Sequence, residues 1–182
     1  MLTKLQRRKL TRFFNVWDAN GDGVLTTDDP AQVAQNLAEL RGLKPGSPEY
    51  EGFLSGFMLY QNDFLEAVGM DEQGRVTLEK WLAYHEGMLE DESRFESTAL
   101  MVAEVMFNLM DQSGDGRLTL EEYRDWMGAF RIGKEDMTED VFQKLDLNED
   151  GTLTKEEVLH LTREFFYSDD LEARGNWMLG PF

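Results

Sequence analysis

The chain has 182 residues, with 36 acidic side chains against 18 basic ones and a formal net charge of −18 at pH 7. This excess of negative charge argues against binding to nucleic acid or to anionic membranes, because both depend on cationic side chains. The sequence has no cysteine, which excludes disulfides, thiolate zinc sites and cysteine nucleophiles. With 41% hydrophobic residues the chain can bury a core, so we expect it to fold and to take cations as its partners.

The N-terminus begins MLTKLQRRKLTRFF and predicts an amphipathic helix whose inward face contains Leu2, Leu5, Phe13 and Val16. No apolar run of signal-peptide length follows, and no stretch reaches the roughly 20 apolar residues of a membrane span. The arginines of this segment have no acidic residue among them before Asp18, which leaves a mitochondrial presequence as an alternative. We expect an intracellular, cytoplasmic protein.

Four segments of twelve residues share one pattern, with acidic and polar positions around a glycine at the sixth position and an aliphatic residue at the eighth. Apolar residues at helical spacing precede and follow each segment. This predicts an all-α fold of eight helices in four helix–loop–helix units. In chain order the segments, which we call loops one to four, are DANGDGVLTTDD (18–29), GMDEQGRVTLEK (69–80), DQSGDGRLTLEE (111–122) and DLNEDGTLTKEE (146–157).

The pattern is that of the EF-hand calcium loop, and its spacing follows from the chemistry of a hard cation. Calcium takes about six to eight oxygen ligands, which side chains at the first, third and fifth positions and a carbonyl at the seventh supply. The ninth position often acts through water, and an acid at the twelfth position closes the coordination sphere. Glycine at the sixth position permits a backbone turn that other residues resist. The aliphatic eighth residue predicts a short β contact between paired loops.

Loops three and four match this pattern at every position, with glutamate as the closing acid. A solvated acidic turn would not fix glycine, leucine and glutamate at three separate offsets, so both loops are predicted to bind Ca²⁺. The predicted ligands of loop three are Asp111, Ser113, Asp115, the carbonyl of Arg117, and Glu122. Those of loop four are Asp146, Asn148, Asp150, the carbonyl of Thr152, and Glu157.

Loop one matches the pattern with one change, an aspartate at the twelfth position. Aspartate is one methylene shorter than glutamate, so it is expected to reach the ion with one oxygen. A smaller coordination number suits the octahedral shell of Mg²⁺, and we therefore predict a mixed Ca²⁺/Mg²⁺ site. The predicted ligands are Asp18, Asn20, Asp22, the carbonyl of Val24, and Asp29.

Loop two keeps the frame of the pattern and loses its ligands. Its first and fifth positions are Gly69 and Gln73, and only Asp71 remains among the first three side-chain ligands. Lys80 places a cation where the closing carboxylate belongs. We predict that loop two keeps its fold without metal and serves as the structural partner of loop one.

The order of the units predicts two EF-hand pairs that pack together, followed by a tail too apolar to be a free end. We expect the tail to pack on the body and the protein to be a monomer. The predicted segments are an N-terminal pair at 1–92, a C-terminal pair at 93–166 and the tail at 167–182. The apolar tail residues are Trp177, Met178, Leu179 and Phe182.

Four EF-hands with a degenerate second loop, an aspartate closing loop one and an apolar C-terminal tail resemble the sarcoplasmic calcium-binding proteins and the bacterial calerythrin-type proteins. The resemblance covers nearly the whole chain. It implies a compact all-α fold with loops one, three and four filled and a role in Ca²⁺ buffering or transport. The hydromedusan photoproteins and luciferin-binding proteins, which enclose coelenterazine in a central cavity, are also similar. They imply a remote alternative, a coelenterazine-binding protein.

Enzymatic motifs are absent from the sequence. GAFRIGKE (128–135) has the glycine and lysine spacing of a phosphate loop, but Glu135 stands where serine or threonine is required. His85 and His160 have no partner in a catalytic or metal-binding motif, so both are expected on helix faces. We therefore predict a binding protein without catalytic residues or an organic cofactor.

The methionines leave a second function open. Met101, Met106 and Met110 lie on one predicted helix, and Met-rich grooves let EF-hand sensors accept target helices. The alternative to a buffer is therefore a Ca²⁺ sensor that exposes a hydrophobic groove to a protein target. A tail that covers this groove favours the buffer.

Overall fold

A computed structural model describes residues 1–132 and 135–180 of the chain. Phe182 of the predicted tail contact and residues 133 and 134 of the GAFRIGKE segment lie outside these ranges. In the described part of the chain, no helix is long and apolar enough to cross a membrane.

The fold is mainly helical, as predicted. In chain order the helices are α1 Lys4–Trp17, α2 Asp28–Leu40, α3 Pro48–Val68, α4 Leu78–Leu89, α5 Glu92–Phe95, α6 Met101–Met110, α7 Leu120–Ala129, α8 Glu135–Leu145 and α9 Lys155–Tyr167. A π-helical turn, Glu96–Leu100, joins α5 to α6 in one continuous helical segment. With that segment counted once, the described chain has the eight helices that four EF-hand units require.

Local capping explains where several helices begin and end. Thr3 and Gln6 form a capping box at the start of α1, in which each side chain accepts the other's backbone N–H. The hydroxyl of Ser47 caps α3, and Pro48 follows at the first helical position, where a missing N–H is tolerated. α3 ends at Gly69, whose φ of 99° is a left-handed conformation that suits glycine.

The loops pair through short strands, loop one with loop two and loop three with loop four, as predicted. β1 Val24–Leu25 pairs antiparallel with β2 Val76–Thr77, and β3 Arg117–Leu118 pairs antiparallel with β4 Leu153–Thr154. In both pairs the aliphatic eighth residues lie opposite each other. All four of these residues are buried: Leu25, Val76, Leu118 and Leu153. Each two-stranded sheet is therefore anchored in the hydrophobic core.

The two EF-hand pairs pack against each other through α1 with α9 and through α2 with α7. Asn36 on α2 donates its side-chain amide to the carbonyl of Ala129 at 2.8 Å. One hydrophobic cluster includes Trp81 from the first pair and Phe165 from the second. The core is therefore shared, which agrees with the expectation that the pairs are in contact.

The buried face of α1 is wider than the predicted one. Leu5 is buried as expected, and the most deeply buried apolar residues of the helix are Leu10 and Phe14, with 1% and 2% of their surface exposed. Phe13 is half-buried and faces inward as predicted, with its ring edge-on to those of Trp81 and Phe165. Leu10 and Phe14 stand at i and i+4, so they add a second row to the predicted apolar stripe.

Side chains of α1 hold the C-terminal tail. Lys9 is fully buried and donates its Nζ to the carbonyl of Ser168 at 2.8 Å. Arg12 donates its Nε to the carbonyl of Leu179 at 3.1 Å. A 3₁₀ turn, Arg174–Trp177, packs on α8 and α9. Gly175 permits this approach, because a Cβ there would collide with the backbone of α9.

Candidate metal sites

Left-handed glycines set a common backbone frame in the four loops. The sixth-position glycines have φ values between 72° and 85°: Gly23, Gly74, Gly116 and Gly151. In loops one, three and four, the N–H of this glycine donates to the first-position aspartate at 2.9, 2.8 and 2.7 Å respectively. In loop two the N–H of Gly74 donates instead to the backbone carbonyl of Asp71 at 2.9 Å. The turn is thus kept in loop two without a first-position carboxylate.

Loop four differs from loops one and three at the fourth position. Glu149 has a φ of 60°, where loops one and three place Gly21 and Gly114 at 73° and 72°. A left-handed conformation costs a non-glycine residue about 1–2 kcal/mol. The conformation of Glu149 is therefore imposed by the other contacts of the loop.

The closing glutamates of loops three and four connect the two ends of their loops. Glu122 accepts the N–H groups of Gln112 and Ser113 with Oε1, at 2.9 and 3.1 Å. Its Oε2 accepts the N–H of Thr119 at 2.9 Å. Glu157 makes the same three contacts in loop four, at 3.0, 3.2 and 2.8 Å. Both carboxylates are buried, with 8% of each residue exposed, so they are fixed where the pattern requires the closing acid.

The same glutamates begin the helices that follow. Thr119 and Glu122 form a capping box at the start of α7, and Thr154 and Glu157 form one at the start of α9. In each box the threonine hydroxyl accepts the glutamate N–H, and the glutamate carboxylate accepts the threonine N–H. The calcium-loop pattern gives the ninth position only a water-mediated contact with the ion, so it does not predict that the threonine caps a helix. The T-x-x-E spacing of the sequence does indicate the cap. Each glutamate therefore joins the loop to the helix.

Hydrogen bonding keeps the closing acid of loop three ionised. Burial by itself raises the pKa of Glu122, but hydrogen bonds from Thr119 and Ser113 outweigh burial and hold the pKa below its ordinary value. Burial also raises the pKa of Asp111, and the N–H groups of Gly116 and Gly114 reverse the effect in the same way. Both carboxylates carry a full negative charge at neutral pH.

In loop one Asp29 takes the place of the glutamates, with a shorter reach. Its Oδ1 accepts the N–H of Ala19 at 3.1 Å, and its Oδ2 accepts the N–H of Thr26 at 2.8 Å. The contact to the start of the loop is thus to one amide, against two for each glutamate. Asp29 is also buried, with 1% of its surface exposed. The shorter side chain of Asp29 therefore makes one contact fewer with the start of the loop than each glutamate does.

The remaining predicted ligands of loop one surround the same turn. Asp18 accepts the N–H groups of Gly21 and Asp22 with Oδ1, at 2.8 and 3.1 Å. Asn20 accepts the N–H of Asp22 with its side-chain oxygen at 2.8 Å. Val24, whose carbonyl is the predicted seventh-position ligand, is the first residue of β1. The loop therefore collects oxygen donors suited to a hard cation.

The carboxylates are engaged with loop amides and do not form a ready-made cage. Across residues 1–132 and 135–180, no group of three acidic or histidine side chains is placed so that it could hold a metal ion. The donor set nevertheless fits Ca²⁺, because each of loops one, three and four offers carboxylate, amide or hydroxyl, and carbonyl oxygens in one short turn. Bound Ca²⁺ would require the carboxylates of each loop to move closer together around the ion than they are in this structure.

An arginine crosses from loop three to loop four. Arg117 donates its Nη1 to Oδ2 of Asp150 at 2.8 Å and to the hydroxyl of Thr152 at 2.8 Å. The hydroxyl of Thr152 and the guanidinium of Arg117 hold the pKa of Asp150 at about 2. The contact joins Asp150, a predicted side-chain ligand of loop four, to Arg117, whose carbonyl is a predicted ligand of loop three. The loop pattern does not predict this contact.

The two histidines lie in different surroundings. His160 is on the surface, with its ring 3.6 Å from the carboxylate of Glu164. His85 is inside the core, with its Nδ1 2.8 Å from the carbonyl of Trp81 and its ring stacked on Phe166. Burial lowers the pKa of His85 to about 4, so the imidazole is neutral at pH 7.

His85 also lines an apolar cavity of about 160 Å³ to which both EF-hand pairs contribute residues. Phe13 and Trp126 are among the aromatic residues on its wall. The hydroxyl of Tyr123 is buried on the same wall and has no hydrogen-bond partner in the described part of the protein. The cavity is therefore apolar, with few polar groups facing it.

Comparison with known proteins agrees with this geometry. Residues 103–127 and 138–161 match the family described as EF hand. Calerythrin from Saccharopolyspora erythraea is 26% identical over 178 residues, which cover 96% of this chain and 100% of calerythrin. A sarcoplasmic calcium-binding protein from amphioxus has a similar structure, with a TM-score of 0.73, 20% identity and full coverage of both chains. The calcium-loaded apo form of the coelenterazine-binding protein from Renilla muelleri gives a TM-score of 0.79, with 20% identity and full coverage of both chains.

Four loop frames, two paired sheets and the matched segments point to one kind of calcium-binding motif. The chain contains EF hands in its C-terminal half, where the family model matches it. Over nearly its whole length the chain is similar in sequence to calerythrin, and its fold is similar to that of the sarcoplasmic calcium-binding protein.

Proposed function

We propose that the protein is a cytoplasmic Ca²⁺ buffer or transporter with three EF-hand sites, in loops one, three and four, and without enzymatic activity. The observation that carries this proposal is the position of the twelfth residue. In each of these loops its carboxylate reaches back to an amide at the loop start. That contact brings the acid to the place where it closes the coordination sphere of an EF-hand ion.

Each proposed site has three carboxylates and two further oxygen donors. The carboxylates repel one another when no cation lies between them, so Ca²⁺ binding is expected to stabilise the fold. The proposed ligands are those that the loop spacing predicts: Asp18, Asn20, Asp22, Val24 and Asp29; Asp111, Ser113, Asp115, Arg117 and Glu122; Asp146, Asn148, Asp150, Thr152 and Glu157. We further propose that the pairs at 1–92 and 93–166 are the binding units and that the protein acts as a monomer.

Loop one is proposed to accept Mg²⁺ as well as Ca²⁺. Asp29 contacts one amide at the loop start, where the glutamates contact two. A carboxylate with this shorter reach supplies fewer oxygens to the ion, and Mg²⁺ requires fewer than Ca²⁺.

A buffer is favoured over a sensor because the chain covers its own apolar surface. Met106 and Met110 are buried, whereas Met101 is 48% exposed. Met178 of the tail packs against both hydrophobic clusters of the core. An EF-hand sensor needs an apolar groove that opens to a target helix, and here the tail lies on that surface.

Isothermal titration with Ca²⁺, with and without Mg²⁺, tests the number of sites and the mixed character of loop one. We expect three Ca²⁺ ions per chain, with one site weakened by Mg²⁺. Fluorescence of a hydrophobic dye separates buffer from sensor, and a buffer is expected to raise it less than about twofold on Ca²⁺ addition. A stoichiometry of two or fewer contradicts the three-site proposal, and a large rise in dye fluorescence supports the sensor.

The cavity supports a second candidate, a protein that holds a small aromatic compound such as coelenterazine. It has an apolar wall, and the buried hydroxyl of Tyr123, one of the lining residues, lacks a partner among the described residues. Sites for small molecules are commonly apolar with a few polar groups. Incubation with coelenterazine, followed by a Ca²⁺ pulse with light detection, tests this candidate. An unchanged absorption spectrum and no light would exclude it.

A further inference from the structure

Loop two is closed by a lysine at the position where the other loops carry an acid. The Nζ of Lys80 donates to the carbonyl of Gly69 at 2.8 Å, which joins the twelfth position of the loop to the first. In loops three and four, the twelfth-position carboxylate instead accepts amides at the second and third positions. Lys80 therefore also joins the end of its loop to the start, but the direction of the hydrogen bond is reversed. A cationic side chain donates to a backbone carbonyl, whereas the glutamates accept from backbone amides.

A second cation closes the middle of loop two. The Nη2 of Arg75 lies 3.0 Å from Oδ2 of Asp71, and its Nε donates to the same oxygen at 3.1 Å. Arg75 also donates to the side-chain oxygen of Gln73 at 3.3 Å. The third and fifth positions, which would face an ion in an active loop, thus bond to a guanidinium from the seventh position.

The contacts of Arg75 and Lys80 lie on either side of the strand that pairs with loop one. β2 lies between Arg75 and Lys80, and its Val76 is completely buried opposite Leu25 of β1. Thr77 of β2 pairs with Val24, whose carbonyl is a proposed ligand of loop one. The position of Val24 therefore depends on the position of β2.

We propose that Lys80 is a positioning residue for the ion site of loop one, which it supports by acting as the internal cation of loop two. This inference rests on the proposed function, in that loop one must bind Ca²⁺. Because the ammonium is covalently attached, loop two is closed whether or not free cations are present. β2 then keeps one position relative to β1. Loop one can therefore bind its ion without also having to order loop two.

The charge of Lys80 and its hydrogen bond act in opposite directions on loop one. A positive charge nearby disfavours a second cation, so charge alone predicts that removal of the ammonium tightens Ca²⁺ binding at loop one. Loss of the contact to Gly69 releases loop two, and this predicts weaker binding. The sign of the change therefore distinguishes the two effects.

Nuclear magnetic resonance of Lys80→Met during a Ca²⁺ titration tests the proposal, because methionine keeps the unbranched stem and removes the ammonium. The amides of Gly23, Gly116 and Gly151 each donate to the first aspartate of their own loop, so they report the three proposed sites separately. We expect the Ca²⁺ affinity reported by Gly23 to fall about three- to tenfold, the effect of losing one hydrogen bond of ordinary strength. The affinities reported by the other two glycines should change less than about twofold, since additivity holds for distant sites.

Two control variants complete the experiment. Lys44→Met removes one positive charge from the exposed connection between α2 and α3, and we expect no loss of affinity at any loop. Lys80→Arg keeps a cationic donor and should restore most of the affinity reported by Gly23. Unchanged Gly116 and Gly151 responses show that Lys80→Met is folded.

The outcomes separate this inference from the function on which it rests. If the Gly23 amide of the natural chain does not respond to Ca²⁺, both the assignment of loop one and the role of Lys80 are wrong. If Gly23 responds and Lys80→Met leaves its affinity unchanged or tighter, the role of Lys80 alone is wrong. A loss of affinity that Lys80→Arg does not restore also overturns it, because a cationic donor at this position would then not be what supports loop one.

Discussion

In the C-terminal half, Glu122 and Glu157 each extend from the first turn of a helix to two amides at the start of their loop. In the N-terminal half, Asp29 reaches one such amide and Lys80 donates to a carbonyl instead. The strand pairing is nevertheless the same in both halves, with the eighth residues opposed and buried. The fold of an EF-hand pair is thus kept by its short sheet and its glycine turn, while the twelfth residue sets how each loop is closed.

This separation has a functional consequence. Because the sheet pairing is the same whether an acid or a lysine closes the loop, a loop can lose its ion site and still support its partner through the sheet. The C-terminal half is expected to hold two ions of similar affinity, and the N-terminal half one ion beside a loop that needs none. Changes at the twelfth position should therefore alter ion binding far more than they alter the fold.

The largest expected effect comes from Glu157→Gln in loop four. Glutamine keeps the size of the side chain and removes the charge that closes the coordination sphere. We expect the Ca²⁺ affinity of loop four to fall about 1,000-fold, or about 4 kcal/mol, which is typical when one partner of a buried charge contact is removed. Isothermal titration should show one strong site fewer.

Glu156→Gln is the matched control, because Glu156 is the neighbouring acid and is exposed on the same helix turn. It should change the affinity of loop four less than about threefold, since exposed charges have weak, screened effects. Equal losses in the two variants would mean that general acidity, not the closing contact, determines binding.

The two histidines extend the comparison to acid stability. His85, inside the N-terminal half, has a pKa lowered from 6.5 to about 4 by burial. Below pH 6.5 the unfolded chain takes up a proton at this residue that the folded chain does not, so stability falls as the pH decreases toward 4. The full loss is about 3 kcal/mol, and about 2 kcal/mol of it is expected between pH 7 and pH 5. Denaturant unfolding of the metal-free protein at both pH values measures it.

Two variants assign this pH dependence. His85→Gln places a neutral group that does not titrate in the core, so the loss of stability between pH 7 and pH 5 should shrink by most of its size. His160→Gln alters the exposed histidine of the C-terminal half and should keep the pH dependence of the natural chain. The same slope in all three proteins would show that neither histidine is responsible.

The sequence predicts the frame of each loop well, because glycine, the aliphatic eighth residue and the closing acid stand at fixed offsets. It fails where contacts depend on packing between distant segments. The contact of Arg117 with Asp150 joins two loops, and that of Lys9 with Ser168 joins the first helix to the tail, without a motif in either case. The inward face of α1 is wider than predicted for the same reason, since the shared core and not the local pattern determines how much of the helix is buried.

Asp29→Glu gives the smallest expected change and the sharpest comparison of the two halves. A glutamate at this position regains the methylene present in loops three and four, so it is expected to reach the ion with both oxygens. Binding of Ca²⁺ at loop one should tighten, and Mg²⁺, which requires a six-coordinate shell, should gain nothing. We expect the ratio of Ca²⁺ to Mg²⁺ affinity to rise about tenfold, or about 1.4 kcal/mol, in titrations of each ion. Asp28→Glu, at the exposed neighbouring position, lengthens a side chain without changing the closing contact and should leave the ratio unchanged. A ratio that stays constant in Asp29→Glu would mean that the backbone of loop one, and not the length of its closing acid, determines which ion it prefers.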